Sequence, residues 1–199
     1  MGALQRLALD FCSGLARLPG AMGGLDSLRE LSLRGCGSLI HLPEVVGDLP
    51  SLEDLQLGYC RHLTHLPDTV GNLANLRELD LRYCGGLTSL PDTLGNLKKL
   101  QRLGLGNCRS LRALPGTLGG LQELSNLYLG NCRSLTHLPE TVGELTSLRQ
   151  LDLHSCGELT HLPDALGKLQ DLLVLDLRGC HSLTELPASV VELAGYMCI

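Results

Sequence analysis

The sequence predicts an α/β solenoid, a single domain of stacked short repeats with one parallel sheet. Three observations carry this. A 24-residue pattern recurs eight times without insertion or deletion, from copies beginning at Leu4, Leu28, Leu52, Leu76, Leu100, Leu124, Leu148 and Leu172. Each copy opens with a short alternation of apolar and polar residues. Each then returns through a segment with fixed proline and glycine positions.

The opening element is the strand. In Glu78-Leu79-Asp80-Leu81-Arg82 the leucines fall on one side and the polar residues on the other, the signature of a strand with one buried face. So short a strand is not stable alone. With the same register in every copy it pairs with its counterpart in the next, giving a parallel sheet with strands roughly 4.8 Å apart.

The return element follows a Leu-Pro pair. Pro43, Pro67, Pro91, Pro115, Pro139 and Pro163 each precede PxxLG or PxxVG. Proline suits a helix start and glycine a helix stop, so one turn of 3₁₀ or α-helix, or an irregular turn, fits the length. Gly23 through Gly167 recur at this stop, and Val191 replaces the glycine in the last copy. Copies run from Leu4 to Gly195 inside a domain of 1–199, leaving 196–199 as a short tail. Neither Met1–Ala3 nor that tail supplies a polar cap, so the chain is expected to be a piece of a longer protein or to associate through its ends.

Composition narrows the function. The hydrophobic fraction is 44%, with one Phe, four Tyr and no Trp, so the core relies on leucine. A net charge of −5 spread without blocks offers no basic stripe for phosphates, and nucleic acid is not an expected partner. No apolar run approaches the roughly 18 residues that span a bilayer. Eight cysteines, Cys12 to Cys180, occur at intervals of 24, one equivalent site per copy. They read as buried free thiols in a reducing compartment, and the chain as soluble and cytoplasmic.

The skeleton LxxLxLxxCxxLxxLPxxLGxLxx, seen for example at Leu76 to Lys99, resembles the leucine-rich-repeat family over Leu4 to Gly195. That resemblance implies a right-handed curved array with the sheet on the concave face and short 3₁₀, α or irregular segments on the convex face. Cys at the ninth position, with LP and LG afterwards, is similar to the repeats of plant intracellular nucleotide-binding leucine-rich-repeat disease-resistance proteins. It is also similar to plant cytosolic repeat proteins related to Ras-pathway scaffolds. The resemblance thus implies a non-catalytic protein-recognition module in plant defence, or else a cytosolic scaffold or substrate adaptor in signalling. Its partner would be a protein or other domains of a longer parent chain. No P-loop GxxxxGK[ST] occurs here.

Chemistry-bearing patterns are few. GxSxG and HExxH are absent, and the cysteines lack any CxxC spacing, so neither an enzyme nor a cofactor or metal is expected. His41, His65, His137 and His161 precede Leu-Pro and form a partial column, read as a solvated polar edge. A thiol or metal-dependent enzyme is the least favoured reading.

The variable, outward strand positions are where function is expected. Tyr59, Tyr83 and Tyr128 fall on this face as anchors, since Tyr joins broad contact area to a polar group. Asp54, Glu78, Asp80, Arg82 and Arg102 surround them as charges that face a partner. Gly104 and Gly106 are expected to leave a shallow place beside the tyrosines. Packing alone also favours Tyr on a sheet.

Overall fold

The structure, a computed structural model, describes residues 4–22 and 24–194. Met1–Ala3, Gly23, Gly195 and the tail 196–199 lie outside the described residues, and with them the expected ends of the array. Eight three-residue strands form one parallel sheet in chain order: β1 Arg6–Ala8, β2 Glu30–Ser32, β3 Asp54–Gln56, β4 Glu78–Asp80, β5 Arg102–Gly104, β6 Asn126–Tyr128, β7 Gln150–Asp152 and β8 Val174–Asp176. Each residue pairs with the one 24 positions on, for instance Leu55 with Leu79 and Leu79 with Leu103. The expected solenoid is what forms.

The central leucine of each inner strand points into the core and is fully buried, as are Leu76, Leu81, Leu87, Leu94 and Leu97 of the fourth copy. Burying each such side chain contributes about 1.5–3 kcal/mol, and neighbours on both sides complete the burial. In copies 1 and 8 the same layers are partly open, with Leu7, Leu9, Leu175, Leu177 and Leu183 only partly buried.

Cys36 to Cys180 explain their column. Each Sγ donates to the carbonyl of a leucine in the preceding copy, from Cys36 to Leu9 through Cys180 to Leu153, at 3.1–3.2 Å. That same carbonyl already accepts the N–H of its own copy's cysteine, as Leu57 does from Cys60. A small side chain with a weak donor is what the space and the second lone pair require.

Return segments in copies 2–7 are 3₁₀ turns: Glu44–Asp48, Asp68–Asn72, Asp92–Asn96, Leu118–Gly120, Glu140–Glu144 and Asp164–Lys168. Copy 8 instead carries α1, Ala188–Ala194. An extended proline precedes the five-residue turns, and its carbonyl accepts the first bond, as Pro67 does from Val70 at 3.1 Å. The glycine column differs from expectation. Gly47, Gly71, Gly95, Gly143 and Gly167 lie inside these turns and do not stop them. A Cβ on Gly71 would overlap the Thr93 carbonyl of the next copy, and the same holds at Gly47 against Thr69. Close stacking of copies, not helix termination, is what requires glycine here. Val191 occupies this column in copy 8 and is exposed, so another copy stacked the same way would meet its side chain.

Copy 5 is the irregular one. Gly116 stands where the other 3₁₀ copies have Asp or Glu, and its turn has three residues instead of five. Thr69, Thr93 and Thr117 each donate Oγ1 to a carbonyl of the preceding turn, at 2.5–2.6 Å. In Thr141, their counterpart after the shortened turn, the hydroxyl is buried with no hydrogen-bond partner.

Candidate functional site

The outward face of the sheet ends, in every copy, on a residue in the left-handed region: Phe11, Gly35, Tyr59, Tyr83, Asn107, Asn131, Ser155 and Gly179 have φ between 58° and 74°. The N–H groups of the first seven continue the ladder, Tyr59 donating to Arg82 and Tyr83 to Gly106 at 2.8 Å, and the chain then turns inward to the cysteine. Gly and Asn adopt this conformation readily, whereas a bulky aromatic residue does so at a cost of about 1–2 kcal/mol. Sequence reasoning missed this, although the Gly and Asn members of the column were its signal.

Tyr59 and Tyr83 stack with ring centroids 4.3 Å apart and 8° between planes. They remain 39% and 44% exposed, and the Arg34 guanidinium carbon lies 5.2 Å from the Tyr59 ring centre. Phe11, 69% exposed, lies across Gly35 in the same column. The first four copies therefore carry an aromatic edge with Arg34 over it. Tyr128 stands apart, on β6, with its hydroxyl 3.4 Å from Gln150 Oε1.

The charges are organised among themselves. Arg102 Nε donates to Glu78 Oε2 at 2.9 Å. Asp80, expected to face a partner, is 4% exposed, and the Arg82 side chain clamps it through Nε and Nη2 at 2.9 and 2.8 Å. Its Oδ1 also accepts the Arg82 backbone N–H. Carboxylate and guanidinium thus form a fork lying flat on the sheet, which raises the Arg82 pKa chiefly through the Asp80 hydrogen bonds. Asp54 differs. Gln56 Nε2 donates to it at 2.7 Å, but among the described residues no cation pairs with it. Burial, then the neighbouring Glu78 and Glu30 carboxylates, push its pKa up against the Gln56 bond.

Glycines on this face are seats for neighbouring side chains. A Cβ on Gly58 would lie 3.3 Å from Asp80 Oδ2, and one on Gly104 would lie 3.3 Å from Arg82 Cγ. The shallow place expected at Gly104 is therefore occupied by Arg82. Farther along, the His154 ring rests on Gly130, with Nδ1 2.7 Å from Asp152 Oδ1 and Nε2 2.8 Å from Asn131 Nδ2.

Asp152, His154 and Asp176 bring ligand atoms within 4.8 Å of one another, a grouping not seen in the sequence because strand pairing creates it. These groups already satisfy each other. His154 Nδ1–H faces Asp152, Asn131 donates to Nε2, and the exposed Arg178 grips both oxygens of Asp176, lowering its pKa to about 2 mainly through that bond. Farther round each copy, His41 and His65 stack at 6.3 Å and His137 and His161 at 6.4 Å. The expected burial of the thiols holds for the inner copies and not for Cys12, which is exposed; burial pushes Cys60, Cys132 and Cys156 to about 12 and Cys84 and Cys108 higher still, which makes these five poor nucleophiles. An open polar hollow at copies 5–7 is lined by Gln101, Glu123, Ser125, Asn126, Ser147 and Arg149.

Comparison with known proteins agrees with this geometry. Residues 55–160 match a family model described as a leucine-rich repeat region. The leucine-rich repeat domain of the type III effector XopL is 32% identical, with a TM-score of 0.85 over 95% of this chain and 65% of its own. A leucine-rich-repeat protein of Leptospira interrogans is 30% identical, with a TM-score of 0.58 over 92% of this chain and 50% of its own. A TDR receptor is 26% identical, with a TM-score of 0.61 over 84% of this chain and 30% of its own. A comparison with curated proteins gives no match. The chain spans about two thirds or less of the length of these three solved structures. With eight stacked copies and a family model covering more than half its length, the chain belongs to the leucine-rich-repeat family.

Proposed function

We propose that this chain is a non-catalytic protein-recognition module that reads its partner with the outward face of the sheet, centred on copies 2–4. The observation that carries this is the Tyr59–Tyr83 stack. Two bulky rings are held exposed in a left-handed conformation where copies 2 and 5–8 use Gly, Asn or Ser and only copy 1, with Phe11, is also aromatic. The frame imposes this conformation on every copy and Gly or Asn adopts it at less cost, so a bulky ring kept there marks a functional position. Paired exposed tyrosines with an arginine beside them are also residue types that dominate interfaces.

The Cys, LP and LG pattern of the repeats supports placement in a plant intracellular immune receptor, with the chain in the cytoplasm and its partner either another protein or a domain of the same parent chain. Likeness to the XopL repeat domain supports a second reading, in which the same surface belongs to a signalling adaptor or effector. Both readings use the same face. The test is affinity capture from plant extract by the chain and by its Tyr59→Asn/Tyr83→Asn variant. A defined set of proteins is expected to be retained by the first and lost from the second. Identical sets would refute the sheet-face reading.

A further inference from the structure

Three carboxylates lie side by side on the outward face. Glu30, Asp54 and Glu78 are direct cross-strand partners on β2, β3 and β4. Like charges directly opposite each other destabilise a sheet unless cations intervene. Arg6 pairs with Glu30 at 3.0 Å and Arg102 pairs with Glu78. On the adjoining rim, Arg29 lies 2.6 Å and Arg77 3.9 Å from Glu53. Asp54, in the middle, has Gln56 on Oδ1 and, among the described residues, no cation and no hydrogen-bond donor on its other oxygen. The row is one positive charge short.

The Tyr59–Tyr83 stack stands at the other margin of the same copies. Five positions separate Asp54 from Tyr59, about 16 Å along an extended strand. Between them lie Gln56 and Gly58, with the Asp80–Arg82 fork flat beside them. Arg34, above Tyr59, has no carboxylate partner among the described ion pairs.

We propose that Asp54 seats a Lys or Arg side chain of an extended partner segment, whose Pro or aromatic residue about five positions away rests on the Tyr59–Tyr83 stack. A partner cation there completes the row and relieves repulsion that the free protein carries. The raised pKa of Asp54 agrees with a carboxylate built for a missing cation. This inference rests on the reading of the sheet face as a recognition surface and names the chemistry of what it recognises.

The test titrates short labelled peptides, each with one Lys and a Pro pair about five positions apart and made in both orders, into the full chain. Backbone NMR shifts and fluorescence anisotropy report binding. Saturable binding is expected in one order, with shifts at Asp54, Tyr59 and Tyr83. Replacing the peptide Lys by Glu abolishes it, and Asp54→Asn weakens it about threefold to tenfold and removes its salt dependence. Asp54→Asn also leaves the melting temperature unchanged or raised, an outcome a merely structural role would not give. No binding by either peptide, or equal binding by Asp54→Asn, overturns the cation seat. A dimer that Asp54→Asn abolishes would assign the seat to a second copy and overturn the peptide reading. Proteins captured through the tyrosines but indifferent to Asp54→Asn and to salt would leave the sheet-face reading standing and remove the seat alone.

Discussion

Copies 3 and 4 and copies 5 and 6 are the same object inside and different objects outside. Leu55, Leu79, Leu103 and Leu127 are equally buried, and Cys60, Cys84, Cys108 and Cys132 make the same sulfur-to-carbonyl bond. At the left-handed position, however, copies 3 and 4 carry a stacked tyrosine pair where copies 5 and 6 carry Asn107 and Asn131. Copy 5 also has a short turn and leaves Thr141 without a partner. The frame sets how the copies stack and is indifferent to what the face displays. Differences between copies are therefore where recognition and local weakness reside.

Core truncation at equivalent sites tests the sameness of the frame. Leu79→Ala and Leu127→Ala should each cost about 2–5 kcal/mol in chemical denaturation and agree within about 1 kcal/mol. A wider gap would break the equivalence of the copies. Next comes one substitution at two glycines. Gly71→Ala drives a Cβ into Thr93 and should cost about 1–3 kcal/mol. Gly116→Ala has open space and no positive φ, and should stabilise by about 0.4–1 kcal/mol. The same sign at both would remove copy 5 as the loose point.

Tyrosine replacement is expected to have a smaller effect on stability. Tyr59→Asn gains about 1–2 kcal/mol of backbone relief and loses about 0.5–1.5 kcal/mol of ring stacking. Thermal denaturation should therefore move little, while Asn107→Tyr should be destabilising. The smallest effects separate two carboxylates by pH. Asp176 has its folded pKa lowered to about 2, so its contribution is present above the ordinary value of 3.8 and is lost as pH falls toward 2. Asp54 has its folded pKa raised, so its penalty is present above that raised value and fades as pH falls toward 3.8. At neutral pH Asp54→Asn should melt no lower than the parent and Asp176→Asn slightly lower.

The fold was legible because every structural constraint repeats. Leu79, Cys84, Pro91 and Gly95 each stand for a column, and a column fixes register. Gly95 was legible as a constraint but not as to its cause, which is the next copy's Thr117 backbone. Placement of the tyrosines side by side followed from the period of 24. Burial of Asp80 did not, because it depends on Gly58 and Gly104 in neighbouring copies leaving room for the fork with Arg82. The Asp152, His154 and Asp176 grouping was hidden for the same reason, since its members meet only across β7 and β8. Left-handed strain at Tyr59 and Tyr83 is a backbone property that the tyrosines themselves conceal.

Photo-crosslinking reads out whether recognition belongs to the sheet face of copies 2–4. A benzoyl-phenylalanine placed at Tyr83 is compared with one at Asp92, an exposed residue on the return side of the same copy, in plant extract. A discrete protein adduct is expected from position 83 and none from position 92. Adducts from position 92 alone, or the same adducts from both, would move the partner off the sheet face.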